Sequence, residues 1–326
     1  MRAETEATRL SRRRFVAAGA AGAALTQMSW AQEIAPPQPG APPDDAARIA
    51  AGNDADEHMT IPVMINGQGP FRFVVDTGAD RSVIAEDLAV TLGLVRGTEV
   101  SVQGVVRSFA TRVVPIANLS FGSVNRRNLV MPMLPRTYMG ADGYLGLDAV
   151  DGARVTLDFA NRALKISTSR SQTAFQTRRS TEAYVPVRGS MGHLRSLNCR
   201  VDGVATTCFL DTGAQISVGN TMLLKSLIEE NPGLRTLGLL PITGITGGVI
   251  MGAVVRVDRI HLHSVSFSDA VVAIADMAIF DVWGLSNQPA LLIGMNFLRQ
   301  FAQVSIDYGM KEIRFDLASM LLARAG

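Results

Sequence analysis

Phe73-Val74-Val75-Asp76-Thr77-Gly78-Ala79-Asp80 and Cys208-Phe209-Leu210-Asp211-Thr212-Gly213-Ala214-Gln215 are two versions of one stretch, an apolar run that stops at Asp-Thr-Gly-Ala. Ahead of each run stands a turn, Ile65-Asn66-Gly67 in one copy and Val201-Asp202-Gly203 in the other, so the runs at 71–75 and 206–210 read as strands entered through hairpins. Two such loops related by a pseudo-two-fold axis bring two carboxylates face to face. Like groups at that distance cannot both ionise, so they share a proton and supply an acid and a base from the same pair.

The duplication extends outward from the two loops. Leu119-Ser-Phe121-Gly-Ser-Val124 matches Ile260-His-Leu262-His-Ser-Val265, and apolar strands follow at 129–131 and 270–272. Each copy then reaches an apolar-apolar-Gly element, Tyr144-Leu145-Gly146 or Leu292-Ile293-Gly294, and closes on a strand hairpin, 155–166 or 304–315. Five elements in the same order predict two equivalent lobes. Short strands and turn signals dominate both, with one short helix each, over 85–92 before Gly93 and over 220–227 with Asn220 as N-cap. The expected fold class is all-β, two barrel lobes with one short helix per lobe.

Strand, Asp-Thr-Gly-Ala, and a Gly element 70 or 83 residues later resemble the retropepsin-type aspartic peptidases, here with both lobes in one chain. The resemblance covers 57–168 and 183–318. It implies acid-protease barrels, hydrolysis of peptide bonds in an extended polypeptide by a water held between Asp76 and Asp211, and no cofactor. It also implies that Thr77 and Thr212 bond across to the opposite loop, and that Gly78, Ala79, Gly213 and Ala214 shape the dyad, with Gly146 and Gly294 as the Gly elements. Gln103-Gly104 and Thr246-Gly247-Gly248 fall where that family carries its flap hairpins, and Asp80 lies at one end of the cleft, where the second lobe has Gln215. One departure stands out: Leu147 and Met295 occupy the positions where retroviral members carry Arg. A peptide-binding module that keeps the cleft and turns nothing over is the alternative.

The edges of the chain read differently. Ser11-Arg12-Arg13-Arg14-Phe15, an Ala/Gly-rich apolar stretch to Leu25 and Ser29-Trp30-Ala31 resemble a twin-arginine export signal over 1–31, which implies a periplasmic or secreted protein. A Pro-rich tether is expected over 32–56, a polar linker over 169–182 and a tail over 319–326. The apolar stretch is too short to span a bilayer, and no second one follows. Loss of 1–31 removes five Arg and two Glu, and takes the net charge from +2 to −1. That near-neutral balance gives no reason to expect nucleic acid as a partner. The expected partner is a periplasmic or envelope polypeptide, bound by a monomer whose two lobes form an intramolecular pseudo-dimer. His261 and His263 alternate on a strand with no acidic partner motif nearby, and no metal is expected. Cys199 and Cys208 flank the Asp202-Gly203 turn, where they either pair across a hairpin or remain two half-buried thiols.

Overall fold

Phe73, Val74 and Val75 are buried on both faces, as are Phe209 and Leu210, so each Asp-Thr-Gly loop is the exit of a strand that runs through the centre of a core. The computed structural model describes residues 47–50, 52–53, 59–150, 153–169, 182–186 and 195–316. In chain order it begins with β1 (Ala47–Ala50) and β2 (Gly52–Asn53). The first lobe follows with β3 (Met59–Ile65), β4 (Gln68–Val75), β5 (Val83–Ala85), α1 (Glu86–Thr91), β6 (Glu99–Gln103), β7 (Ser108–Phe121), β8 (Val124–Leu134), α2 (Arg136–Met139), β9 (Gly143–Leu145) and α3 (Leu147–Val150). A hairpin of β10 (Ala153–Asp158) and β11 (Ala163–Thr168) closes it. After β12 (Glu182–Pro186) the second lobe repeats the plan with β13 (Arg195–Val201), β14 (Val204–Leu210), β15 (Val218–Gly219), α4 (Thr221–Glu230), β16 (Thr236–Thr243), β17 (Val249–Leu262), β18 (Val265–Ile274), α5 (Ala278–Val282), β19 (Ala290–Ile293) and α6 (Met295–Leu298). Its hairpin is β20 (Gln303–Asp307) and β21 (Glu312–Asp316).

Six strands of each lobe close into a ring. In the first the order is β3-β4-β9-β5-β8-β7 and back to β3; in the second it is β13-β14-β19-β15-β18-β17 and back to β13. Closure leaves no exposed edge within either ring. The pairings correspond one to one, including the parallel pairs β4–β9 and β14–β19 that join each Asp-Thr-Gly strand to its Gly element. The fold is mainly β with two retropepsin-like lobes, as the sequence predicts.

Three expectations are corrected. Among the described residues each lobe carries three helical segments rather than one: α1 and α4 fall where expected, and α2, α3, α5 and α6 add four more of four or five residues, too short to show a helical period. Part of the expected tether is folded, since β1 pairs antiparallel with β11 and β2 with β3. His261 and His263 do not share a strand face, because β17 ends at Leu262 and His263 sits in the following turn at φ +51° while His261 bonds Ser266 Oγ. The export signal, the rest of the tether, most of the linker and the C-terminal tail lie outside the described residues.

The closing hairpins meet edge to edge. β10 pairs antiparallel with β20 in a six-stranded sheet ordered β1-β11-β10-β20-β21-β12, with Thr156 opposite Ser305 at its centre and their hydroxyls 2.7 Å apart. Arg154 Nε donates to Asp307 Oδ2 at 2.8 Å from one lobe, and Gln303 Nε2 donates to Asp158 Oδ2 at 3.0 Å from the other. Burial opposes ionisation of Asp158, but bonds from Lys165 and Asn161 outweigh it and hold its carboxyl below the ordinary value.

Cys199 and Cys208 form a disulfide between β13 and β14, Cα atoms 6.2 Å apart, both side chains buried. It closes the hairpin whose second strand delivers Asp211. Replacing both by Ser is expected to lower unfolding stability by about 2.5 kcal/mol from loop entropy alone, read as a drop in the denaturant midpoint that disappears when the comparison is made with reduced wild type.

Candidate active site

Asp76 and Asp211 leave the ends of β4 and β14 in equivalent fashion, one in each lobe. The Asp76 N–H donates to Leu145 O and the Asp211 N–H to Ile293 O, both at 3.0 Å, so each carboxylate is anchored at the rim of its own ring. Beyond the acid each loop folds back under its own side chain: Gly78 N–H donates to Asp76 Oδ1 and Gly213 N–H to Asp211 Oδ1, both at 2.8 Å. The glycines are required by approach. A β-carbon on Gly78 would lie 2.7 Å from Asp211 Cγ, and one on Gly213 would lie 2.6 Å from Asp76 Oδ2. Each loop therefore bonds its own carboxylate and presses its bare backbone against the opposite one.

The threonines lock the two loops together. Thr77 N–H donates to Thr212 Oγ1 at 3.0 Å, Thr212 N–H donates to Thr77 Oγ1 at 3.2 Å, and Thr212 Oγ1 donates to Val75 O at 2.7 Å. Both side chains are buried. With its polar groups satisfied, this crossed pair fixes the carboxylate spacing.

Each carboxyl abuts the opposite lobe's glycine, which brings Asp76 and Asp211 close enough to act on one another's ionisation. Burial, and then the charge of Asp211, push the Asp76 carboxyl well above the ordinary carboxylate value, against the pull of the Gly78 and Ala79 N–H groups. Tyr308, which opens the turn after β20, has a buried hydroxyl with no partner among the described residues. Burial and the two carboxylates push its phenol up, so it stays protonated.

A second layer went unread in the sequence. Ser82 Oγ donates to Asp148 Oδ1 at 2.6 Å and accepts from Gly146 N–H at 3.0 Å; Ser217 Oγ donates to Asn296 Oδ1 at 2.8 Å and accepts from Gly294 N–H at 2.9 Å. Leu147 and Met295, in the positions expected to differ from retroviral members, donate their N–H groups to Ala79 O and Ala214 O at 2.9 and 2.8 Å. Backbone bonds and the Ser82–Asp148 and Ser217–Asn296 pairs thus brace the loops from behind.

Two hairpins roof the dyad, β6–β7 from the first lobe and β16–β17 from the second. Their tips touch: Arg107 Nε donates to Thr246 O at 3.1 Å, and Thr246 Oγ1 donates to Arg107 O at 2.7 Å. Gly247 and Gly248, at φ +78° and +87°, make the left-handed turn that seats Arg107 and Tyr138. Below lies a cavity of about 290 Å³ lined by Asp76, Asp211, Gly78, Gly213, Ala79, Ala214, Gln103 and Gly104 among others. Thr246, Gly247 and Gly248 do not line it and instead join the flaps, and Asp80 contributes its carbonyl to Asp148 N–H rather than a cavity wall.

A family model described as aspartyl protease matches residues 61–149 and again 197–297. The chain belongs to the aspartyl protease family. Both matches run from the first strand of a ring to the short helix behind its Gly element, so this aspartyl protease carries the family unit twice and adds the shared six-stranded sheet outside it. No curated protein matches the chain.

Proposed function

We propose that this chain is an exported aspartic endopeptidase that cleaves an extended polypeptide with one water activated between Asp76 and Asp211. The observation that carries the reading is the pair of adjacent, buried carboxyls, each held by its own glycine N–H and abutted by the other lobe's glycine. A single proton on the pair leaves one carboxylate to take a proton from the water as it attacks the peptide carbonyl. The other carboxyl donates to the carbonyl oxygen and then to the leaving nitrogen. The near-symmetry of the loops lets the two groups exchange roles, and they titrate as one unit.

The flaps supply the rest. A peptide must part their tips to enter, after which hairpin backbone can bond an extended chain and exclude bulk water. The experiment is digestion of an unfolded protein with and without a statine-type transition-state inhibitor. Inhibitor-sensitive endoproteolytic fragments are expected; an intact substrate after prolonged incubation overturns the reading.

Ala79 and Ala214 place methyl groups beside the carboxylates. Serine at both positions adds donors that favour ionisation, and the alkaline limb of the kcat/KM profile is expected to move down by about 0.4 to 1 pH unit for a net hydrogen bond of ~0.5–1.5 kcal/mol. An unmoved or raised limb counts against a shared-proton mechanism. Export rests on Arg12-Arg13-Arg14 and the stretch to Ala31, and mass measurement of the periplasmic protein should find an N-terminus near residue 32.

A further inference from the structure

The outer faces of the two flaps carry opposite chemistries. In the β16–β17 hairpin, cross-strand pairing puts Leu239 with Ala253, Pro241 with Met251 and Thr243 with Val249 on one face. That face is turned to solvent: Leu239 is 66% exposed, Val249 60% and Met251 55%, and Leu237, further back along β16, is 55% exposed. The opposite face carries Leu240, Ile242 and Ile250, which pack on Phe209, Val218 and Ala273 inside the lobe. The hairpin is thus apolar on both faces, where a half-exposed strand pair ordinarily alternates apolar with polar. In the equivalent hairpin β6–β7 the outward pairs are Glu99–Arg112, Ser101–Ala110 and Gln103–Ser108, all exposed, so the plan shared by the lobes does not call for an apolar exterior.

The apolar row runs into the cavity over the dyad. Pro241 and Thr243 belong to the row and also line the cavity wall, next to Leu240 and Ile242. β16 is also the last strand of its sheet, and among the described residues no strand pairs with its outer edge. An unpaired edge with apolar side chains beside it is a template for an extended segment, which can bond the backbone and lay alternate side chains on the same face. From Thr243 back to Leu237 the strand covers about 20 Å at roughly 3.3 Å per residue, so a chain leaving the cavity along β16 must run on for about six residues to cover the row.

We infer that the outer face of the second flap, built on Leu237, Leu239, Val249 and Met251, is a docking surface for an apolar extended segment of the substrate polypeptide, displaced to one side of the stretch held over Asp76 and Asp211. The substrate class is then an unfolded polypeptide with a run of Leu, Val, Ile or Phe about six residues from the cut. The run lies on one side only, because the first flap offers a polar face. A folded protein buries such runs, and a short peptide does not reach the row. Docking removes apolar surface of both partners from water equally in the ground and transition states, so it lowers KM and leaves kcat unchanged.

The docking surface rests on the peptide-hydrolysis reading, and the test separates the two. A peptide that fills the cavity alone is compared with versions extended at either end by a Leu/Val-rich or a Ser/Gln-rich segment long enough to reach Leu237. Wild type is assayed beside the triple variant Leu237→Ser, Leu239→Ser, Met251→Ser, whose changes fall on exposed positions outside the cavity lining. In the wild type an apolar extension at one end is expected to lower KM about tenfold or more with kcat unchanged, and a Ser/Gln extension to change neither. The triple variant should treat every extension alike and cleave the short peptide as the wild type does. No gain from the apolar extension, or a gain that the triple variant retains, overturns the docking surface and leaves the hydrolase. Affinities of the same peptides are measured on the Asp76→Asn protein; binding selective for the apolar extension there, with no cleavage by the wild type, sinks the hydrolase and leaves the docking surface. A concentration-dependent dimer in sedimentation, or flotation with phosphatidylglycerol vesicles, that the triple variant abolishes would assign the face to a second copy or to lipid and overturn the substrate as its occupant.

Discussion

Asp76→Asn and Asp211→Asn should each lose at least about 10³-fold in turnover, because removing one member of a pair that shares a proton removes the acid–base exchange on which both steps depend. Neither change should weaken the fold. The Asp76 carboxyl is raised in the native protein by burial and by Asp211, so the native state holds its proton more tightly than the unfolded chain does. The stability this group contributes is complete below the unfolded value and is lost as pH rises through the raised native one. At neutral pH the Asp76→Asn protein is therefore expected to unfold at the same temperature as the wild type or higher, with the difference closing in acid. Mixing the two inactive proteins should restore nothing, since each chain carries both loops of its own site. Substantial activity in either variant, or recovery on mixing, would contradict within-chain pairing.

Alanine at Gly213 is the second large effect expected. Its methyl would lie 2.6 Å from Asp76 Oδ2 and 2.7 Å from Asp76 Cγ, inside any tolerable separation, and the same holds at Gly78 against Asp211. The added carbon cannot move away, because the Gly213 N–H is tied to Asp211 and Thr212 to the opposite loop. The carboxylate must yield, and displacement of a reacting group by about 1 Å costs on the order of 10²-fold. Overpacking should also remove about 1–3 kcal/mol of stability. Kinetics with a short peptide and a denaturant titration check both. A Gly213→Ala enzyme with near-normal kcat would show that the carboxylates do not stand as described.

What was legible in the chain was local. The strands before Asp76 and Asp211 show as apolar runs entered through Asn-Gly and Asp-Gly turns, and the closing hairpins show as alternation of period two. Helix α4 is announced by Asn220, whose side chain does accept from Leu223 N–H at 2.9 Å. Pairings between distant segments left no local mark. Nothing in Ala153–Asp158 or Gln303–Asp307 says that their free edges meet, and Ala47–Ala50 becomes a strand only because β11 offers an edge to it. The Ser braces were missed for another reason. Ser82 and Ser217 each stand six residues after the aspartate, and Asp148 and Asn296 each stand two after the glycine, so aligning the two copies residue by residue would have exposed them. The disulfide depended on register across a bulge between Ser196 and Cys199, which a sequence does not show.

One titration bears most directly on the claim that Asp76 and Asp211 form a single working site in one chain. Hydrolysis of an unfolded protein substrate is followed while a tight statine-type inhibitor is added in increments to a known concentration of the enzyme. One inhibitor per chain should extinguish activity, with no tight binding to the Asp76→Asn or Asp211→Asn protein. A half-equivalent endpoint, or activity indifferent to the inhibitor, would contradict the account.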